Sequence, residues 1–338
     1  MMNSIERIVS TLNFEKPDRV PVIAQVFGHA ATVAGMNLGE YIRDGELLAR
    51  GQIRALDRYG YDAVFALMDT SVETEAAGSV LTYFKNKYPI VKSYALSQDT
   101  DPDNLSVPDP HQAGRMPALL NAAGILREEI GDEVLVVGCV LGPLTLATQL
   151  LGIEQALYLA IDDPEQFGRV LDFATDVVIR FGTAQIEAGV HLPVVFDPSA
   201  SPAVIPPMFF YEFEVPRLTR LFSSLKEHGA VANWLHIAGS VGSILPFYPE
   251  AGVDIANFDY SVNPLDAQEA LPRTVLDGNI RPWSFVEAPP EEITRESSRL
   301  MDRFAHRGGF ILSSGCEIPL ESRQENVMAL VMAARTRG

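Results

Sequence analysis

The sequence predicts an α/β protein whose single domain, residues 1–338, is a (β/α)8 or TIM barrel with an N-terminal helical extension. Short runs of β-forming residues alternate with longer helical patterns, as they do when crossover helices join parallel strands. Eight such runs occur, which is the number of strands that closes this barrel. Several of the runs are continuously apolar, a pattern typical of strands buried on both faces of a sheet.

The predicted elements follow one another in regular order along the chain. The strands are expected at residues 20–25, 62–68, 134–139, 193–197, 231–237, 254–259, 274–279 and 310–314. Patterns with the period of an amphipathic helix fall at residues 5–12, 47–59, 118–130, 145–160, 164–188, 208–228, 291–306 and 322–335. Asp163 followed by Pro164 marks one helix start, because Asp caps a helix and Pro suits its first position.

One segment, residues 78–117, interrupts the alternation after the second strand. It contains a possible hairpin, with strands at residues 80–84 and 90–94, followed by a loop rich in Asp and Pro. We expect an insertion that overhangs the mouth of the barrel. No linker divides the chain, so a single domain is the better interpretation.

Composition excludes several classes of protein. The chain has 338 residues, 47% of them hydrophobic, and a formal net charge of −18. Such a charge disfavours nucleic acid and anionic membrane surfaces as partners. With 2 cysteines and neither a signal peptide nor an apolar run of about 20 residues, the sequence predicts a cytoplasmic protein that spans no membrane.

Polar side chains stand where predicted strands end, which is where a barrel carries its chemistry. They are Asp69, Cys139, Asp197, His236, Asp259, Asn279 and Cys316. His236 and Cys316 each follow an apolar run, and a glycine lies close to each in the sequence, Gly239 after His236 and Gly315 before Cys316. The two side chains could share a zinc ion if their strands are close. A lone histidine is more often a hydrogen-bonded core residue, and a free cysteine is more often a small buried hydrophobe.

The other candidates also have structural interpretations. Asp259 ends the strand after that of His236, so its carboxylate could reach the same metal, although it could equally form a turn. Asp197 and the segment 277–279 fit ordinary turn chemistry. Phe27, after the first strand, could wall a pocket or simply pack in the core.

Several motifs give the chain a family likeness. Residues 6–12 and 16–22 resemble the start of the uroporphyrinogen decarboxylase superfamily, and so do later motifs in the segments 142–147, 252–255, 278–282 and 315–319. The matches run from near the first residue to the last helix. The resemblance implies a barrel fold throughout.

Two branches of that superfamily differ in their chemistry. The decarboxylases carry an arginine motif after the first strand that grips substrate carboxylates, whereas residues 25–31 contain no arginine here. Porphyrin decarboxylation is therefore disfavoured. Residues 69–78 are similar to the other branch, the methylcobamide:coenzyme M and corrinoid-linked O-demethylase methyltransferases.

The resemblance implies a zinc site with one substitution. The coenzyme M enzymes use a His-x-Cys pair and a distant cysteine, which match His236 and Cys316, but Ala238 stands where the middle cysteine is expected. Catalytic zinc usually has three protein ligands. Asp259 is the first choice for the third ligand and Cys139 the second. With one thiolate fewer, zinc is more electrophilic and suits polarising an ether oxygen.

The resemblance thus implies a zinc-dependent methyltransferase that moves a methyl group from a small methylated substrate, such as an aromatic methyl ether, to Co(I) of a partner corrinoid protein. Asp197, Asn279 and Asp69 would orient the substrate, and Phe27 would form an apolar wall. Three alternatives remain open at this point: transfer from a methylcorrinoid to a thiol, a metal-free lyase, and a non-catalytic partner of a corrinoid protein.

Overall fold

A computed structural model describes residues 2–337. Its principal sheet is curled and parallel, with seven strands in the order β1-β4-β5-β6-β7-β8-β9. These strands are β1 (Ala63–Phe65), β4 (Leu135–Leu141), β5 (Leu192–Phe196), β6 (Trp234–His236), β7 (Ile255–Asn257), β8 (Val275–Ile280) and β9 (Phe310–Ser314). Two further strands, β2 (Val80–Thr82) and β3 (Ile90–Ser93), form an antiparallel pair within the segment 78–117.

Helices surround the sheet, and α9, α15 and α4 pack directly against its strands. In chain order the helices are α1 (Ser4–Leu12), α2 (His29–Ala34), α3 (Leu38–Tyr41), α4 (Gly45–Tyr59), α5 (Val72–Ala76), α6 (Met116–Ile130), α7 (Pro143–Leu151), α8 (Ile153–Asp162), α9 (Pro164–Glu187), α10 (Pro207–Phe209), α11 (Val215–Glu227), α12 (Tyr248–Ala251), α13 (Pro264–Ala270), α14 (Ser284–Glu287), α15 (Pro290–Phe304) and α16 (Gln324–Arg335). A π-helical turn, Phe210–Glu214, joins α10 to α11.

The first predicted strand is the main difference from the sequence-based expectation. Residues 20–25 form only a single bridge, between Val22 and Leu312 of β9. Pro21 has no N–H to donate, and the N–H of Val22 is bound by the Asp62 carboxylate at 2.7 Å, so a regular ladder does not form. The segment nevertheless links both edges of the sheet, because Ile23 donates to Leu312 and Asp62 donates to Val22.

The predicted helix 145–160 is also interrupted. Gly152, with φ +85°, separates α7 from α8, and the two helices meet at 105°. A Cβ at Gly152 would lie 2.7 Å from the ring of Tyr94, the residue after β3, so only glycine allows this close approach to the bend. Within residues 2–337, no single helix is long and apolar enough to cross a membrane, and only this bent pair meets those criteria jointly.

Asp62 connects the N-terminal segment to the sheet. Its carboxylate is fully buried and accepts hydrogen bonds from Arg7 and Arg19, both at 2.7 Å, as well as from Ser4 at 2.8 Å. Together with the bond from Val22, these contacts fix α1 and the bridging segment beside β1. The arginines neutralise a carboxylate that has lost its hydration.

Polar side chains occupy the interior of the sheet near its carboxyl edge. His236, Asn257 and Asp277 are in register on β6, β7 and β8, and all are buried. Asn257 donates to Asp277 at 2.8 Å. Burial raises the pKa of Asp277 to about 7, although its hydrogen bonds with Asn257 and Ser313 oppose the shift.

We predict that Asp62→Ala lowers the free energy of unfolding by about 3–5 kcal/mol, because it removes the buried carboxylate that pairs with both Arg7 and Arg19 and leaves only Asp18 to pair with Arg7. Urea unfolding monitored by circular dichroism measures the change. Asp132→Ala is the control, since the Asp132 side chain is 95% exposed beside Arg127 and should cost less than about 1 kcal/mol. Equal losses in the two variants would contradict the role given to Asp62.

The raised pKa of Asp277 predicts a pH-dependent stability difference. The Asp277 carboxyl ionises with a pKa near its ordinary value of 3.8 in the unfolded chain and near 7 in the folded protein. The stability that comes from keeping this carboxyl protonated is therefore complete below pH 3.8 and is lost as the pH rises through 7. Between about pH 4 and pH 8, the free energy of unfolding of Asp277→Asn should therefore rise by roughly 1–3 kcal/mol relative to that of the wild type. Urea unfolding across this range tests it, with exposed Asp266→Asn as the control. Parallel curves for wild type and Asp277→Asn would refute the assignment.

Candidate functional site

A cavity of about 400 Å³ lies at the carboxyl edge of the parallel sheet. The lining residues come from the ends of β5 and β6, from loops that follow β1, β5, β6 and β9, from the hairpin segment up to β3, from α7 and from the segment before α2. They are Phe27, Leu67, Asp69, Thr70, Ser71, Tyr88, Pro89, Ile90, Val91, Gln149, Phe196, Pro198, His236, Ala238, Cys316 and Glu317. Strand order therefore brings His236 and Cys316 to one cavity, although 80 positions separate them in the sequence (316 − 236).

His236 is the last residue of β6 and is 2% exposed. Neither of its ring nitrogens has a hydrogen-bond partner among residues 2–337, and its ring packs 4.5 Å from that of Phe196. Burial lowers the pKa of His236 to about 3, so the imidazole is neutral at physiological pH. A neutral, buried imidazole with two unpaired nitrogens is suited to receive a ligand.

Cys316 follows β9 by two residues and is partly buried. Burial raises the pKa of its thiol to about 11, the backbone N–H of Glu317 opposes the shift, and the carboxylates of Glu317 and Asp259 add to it. The thiol is thus protonated at neutral pH in the protein alone. A bound cation would be needed to hold it as thiolate.

Asp259 and Cys139, the two candidates for the third metal ligand, do not line the described cavity. Ala238 lines the cavity but offers only a methyl group. Asp259 accepts a hydrogen bond from the Ser261 N–H at 2.9 Å, and it is not one of the described residues that line the cavity. Cys139 lies within β4, where it is 5% exposed. Within residues 2–337, no group of three His, Cys, Asp or Glu side chains is arranged to hold a metal ion.

Asp69 lines the cavity as an ion-paired carboxylate. Arg115 binds both of its oxygens, through Nη1 to Oδ2 and through Nη2 to Oδ1 at 3.1 Å. The N–H and hydroxyl of Ser71 donate to Oδ1 at 2.9 and 2.5 Å. These charge-assisted bonds hold Asp69 in place as part of the cavity wall.

Asp197 and Asn279 are buried outside the cavity lining. Asp197 accepts from the N–H and hydroxyl of Thr145 at 2.9 and 2.7 Å, and it lies beside Glu214, whose pKa burial raises well above its ordinary value. Asn279 donates to the carbonyl oxygens of Asp259 and Val262 at 3.2 and 3.1 Å. Both side chains hold loop backbone at the sheet edge.

Phe27 lines the cavity and packs edge-on against Phe65 and Phe196, with ring centroids 4.8 and 5.7 Å apart. These contacts hold its ring in place as an apolar wall. Phe27 thus combines the two roles that the sequence left as alternatives.

Sequence reasoning missed Glu317 and Tyr88. Glu317 Oε1 accepts from the Tyr88 hydroxyl at 2.5 Å and from the Gly28 N–H at 3.2 Å. Burial raises the pKa of Glu317 to about 7, while the bonds from Tyr88 and Gly28 oppose the shift. Adjacency to Cys316 was the available signal for Glu317, whereas nothing in the sequence distinguished Tyr88.

The chain is similar to known proteins over most of its length. The methylcobamide:CoM methyltransferase MtaA of Methanosarcina barkeri is 29% identical, with 97% of this chain and 96% of that protein covered. MtbA of Methanosarcina acetivorans, also a methylcobamide:CoM methyltransferase, is 26% identical, with coverage of 98% and 97%. The uroporphyrinogen decarboxylase of Psychromonas ingrahamii is 27% identical, with coverage of 86% and 83%.

A solved structure shares the whole fold. The chain superposes on a methyltransferase from Methanosarcina mazei with a TM-score of 0.91, at 28% identity, covering 100% of this chain and 99% of that one. The profile of the family described as Uroporphyrinogen decarboxylase (URO-D) matches residues 3–337. The chain therefore belongs to the uroporphyrinogen decarboxylase family.

Proposed function

We propose that this chain is a corrinoid-dependent methyltransferase that removes a methyl group from a small, uncharged methyl ether and transfers it to the cobalt of a corrinoid protein. The observation that carries the proposal is the composition of the cavity. Its apolar walls meet His236, whose ring nitrogens have no partner among residues 2–337, and the free cysteine Cys316. The Methanosarcina proteins named as methyltransferases support the reaction class.

The lining favours a neutral substrate. Among the described residues that line the cavity, none is Lys or Arg, and the nearby Arg115 is committed to Asp69. A sulfonate or a set of carboxylates would lose its hydration there without gaining a cation. Phe27, Phe196 and Ile90 offer apolar surface that an aromatic or aliphatic ether can contact.

The donors present fit zinc in part. His236 and Cys316 would hold the ion, whereas Asp259, the third ligand expected from the sequence, does not line the described cavity. Bound zinc supplies Lewis acidity at the leaving oxygen. The chain's own contribution is to keep His236 neutral by burial, to exclude water with apolar walls and to orient the ether against them. Cleavage of the C–O bond leaves an alkoxide or phenolate, and the methyl group leaves with the corrinoid partner.

Transfer from a methylcorrinoid to a thiol is the second candidate. The names of the Methanosarcina relatives, which cover nearly the whole chain, favour it. The missing thiolate at Ala238 and the lack of cavity-lining cations argue against a thiol that carries a sulfonate.

The two candidates can be separated with purified protein. When methoxylated aromatic compounds are added and oxidation is excluded, we expect the absorbance of cob(I)alamin to fall as the cobalt is methylated. We expect thiols to remove little of the methyl group from methylcobalamin. Activity with thiols alone would overturn the ether proposal.

His236→Ala and Cys316→Ala should each lower the rate more than about 100-fold, since even indirect metal-site changes cost 10–100-fold. His228→Ala, which alters an exposed histidine, should retain the rate.

Ala238→Cys tests how the donor set affects the reaction. An added thiolate should raise zinc affinity by at least about 10-fold and shift activity from ether cleavage toward thiol methylation, because a more electron-rich zinc is a weaker Lewis acid. Chelator competition and the ratio of the two rates measure these effects. Ala238→Ser is the matched control, with a similar volume but a poor zinc ligand. An unchanged zinc affinity in Ala238→Cys would show that the metal is not bound beside this residue.

A further inference from the structure

We propose that a second cavity, at the amino-terminal edge of the parallel sheet, binds a small organic carboxylate that carries an apolar body. The cavity has a volume of about 580 Å³ and lies between the ends of α1 and α15 and the loop before β9. No described residue lines both this cavity and the one that contains His236. The proposal therefore stands independently of the proposed function.

Arg307, in the loop before β9, lines this cavity and has donors without an acceptor. Its Nη2 donates to the carbonyl oxygens of Leu271, at 2.5 Å, and Thr274. Nε and Nη1 are buried and have no hydrogen-bond partner among residues 2–337. Buried donors without an acceptor are uncommon in folded proteins, and an anion supplies the acceptors that these nitrogens lack.

The charges in the lining indicate a ligand with a single negative charge. Ion pairs balance most of the charged lining residues, joining Arg19 to Asp62, Arg337 to Asp302 and Asp18 to Arg7. With histidine counted as neutral, the lining residues outside these pairs are two cations, Lys16 and Arg307, and one carboxylate, Glu15. A carboxylate ligand matches this surplus of one positive charge, whereas a phosphate dianion exceeds it.

The surroundings of Arg307 differ from those of Arg115, which has carboxylate partners. Burial lowers the pKa of Arg307 to about 10, and no neighbouring carboxylate opposes the shift. Burial also acts to lower the pKa of Arg115, but Asp69 and Glu75 outweigh it and the pKa is raised. A carboxylate ligand would supply at Arg307 the partner that Asp69 supplies at Arg115.

Phe14 forms an aromatic wall beside the guanidinium, with Arg307 Cζ 5.8 Å from the centroid of its ring. Within residues 2–337, Phe14 is the only non-glycine residue with a positive φ, at +58°. A Cβ at Gly309 would overlap the ring, and one at Gly308 would lie 2.9 Å from the Phe14 carbonyl oxygen. The two glycines thus let the loop before β9 pack closely on Phe14 and fix its position. Residues held in strained conformations occur preferentially at ligand sites.

The rest of the lining offers apolar surface to a ligand. Met301, Phe304 and Phe310 line the cavity and are all buried. The rings of Phe304 and Phe310 stack with their centroids 4.4 Å apart. An apolar floor beside one unpaired cation suits an aromatic acid, whose ring contacts the floor while its carboxylate binds Arg307.

Benzoate is the probe that tests the site, and benzamide is its uncharged analogue of nearly the same shape. Isothermal titration calorimetry at low ionic strength compares both probes and inorganic phosphate on the full-length protein. Arg307→Gln removes the cation, and Phe14→Leu removes the aromatic wall but leaves the bonds of Arg307 in place. Arg303→Gln is the matched control, because Arg303 is exposed on α15 and does not line the cavity. Circular dichroism and thermal melting establish that each variant is folded.

We expect the wild type to bind one benzoate per chain, and to bind benzamide and phosphate at least about 10-fold more weakly. Arg307→Gln should weaken benzoate binding at least about 10-fold, and Phe14→Leu about 2–10-fold. Arg303→Gln and His236→Ala should both bind benzoate as the wild type does. The proposal is overturned if the folded wild type does not bind benzoate, or binds benzamide or phosphate as tightly. Wild-type affinity for benzoate in folded Arg307→Gln would overturn it as well.

Discussion

The burial of His236 without a hydrogen-bond partner is the constraint on which the rest of the site depends. An unsatisfied buried polar group costs about 1–3 kcal/mol, and His236 carries two unpaired ring nitrogens among the described residues. The strand order places this imidazole where a loop from β9 brings Cys316 to the same cavity. A ligand bound to one ring nitrogen would recover part of this free energy on binding.

Hydrogen bonds fix both of the carboxylates that line the described cavity. Arg115 compensates Asp69 within the wall, and Tyr88 from the hairpin segment binds Glu317. The segment 78–117 therefore serves the site directly, because its residues both line the cavity and fix a cavity carboxylate. A largely apolar space beside His236 and Cys316 suits the transfer of a methyl group, which needs little charge stabilisation on the substrate except at the departing oxygen.

Much of this arrangement could be predicted from the sequence because it follows from periodicity. Seven of the eight expected strands are present, and His236 and Cys316 both line the cavity at the carboxyl edge of the sheet. The positions of Asp259 and Glu317 could not be predicted in this way. A side chain beyond a strand end points wherever its loop turns, and that direction depends on contacts such as Gly315 against Tyr260. The pairing of Asp69 with Arg115, 46 residues apart, likewise depends on how the segment 78–117 folds back.

Substitution of Co²⁺ for zinc tests the shared site of His236 and Cys316 most directly, because thiolate-to-cobalt charge transfer reports the cysteine ligand without any assay of activity. We expect about one metal ion per chain and a charge-transfer band that disappears in Cys316→Ala and persists in Cys139→Ala. Failure of the folded wild-type protein to bind Co²⁺ or Zn²⁺, or a band that survives in Cys316→Ala, would contradict the proposed site.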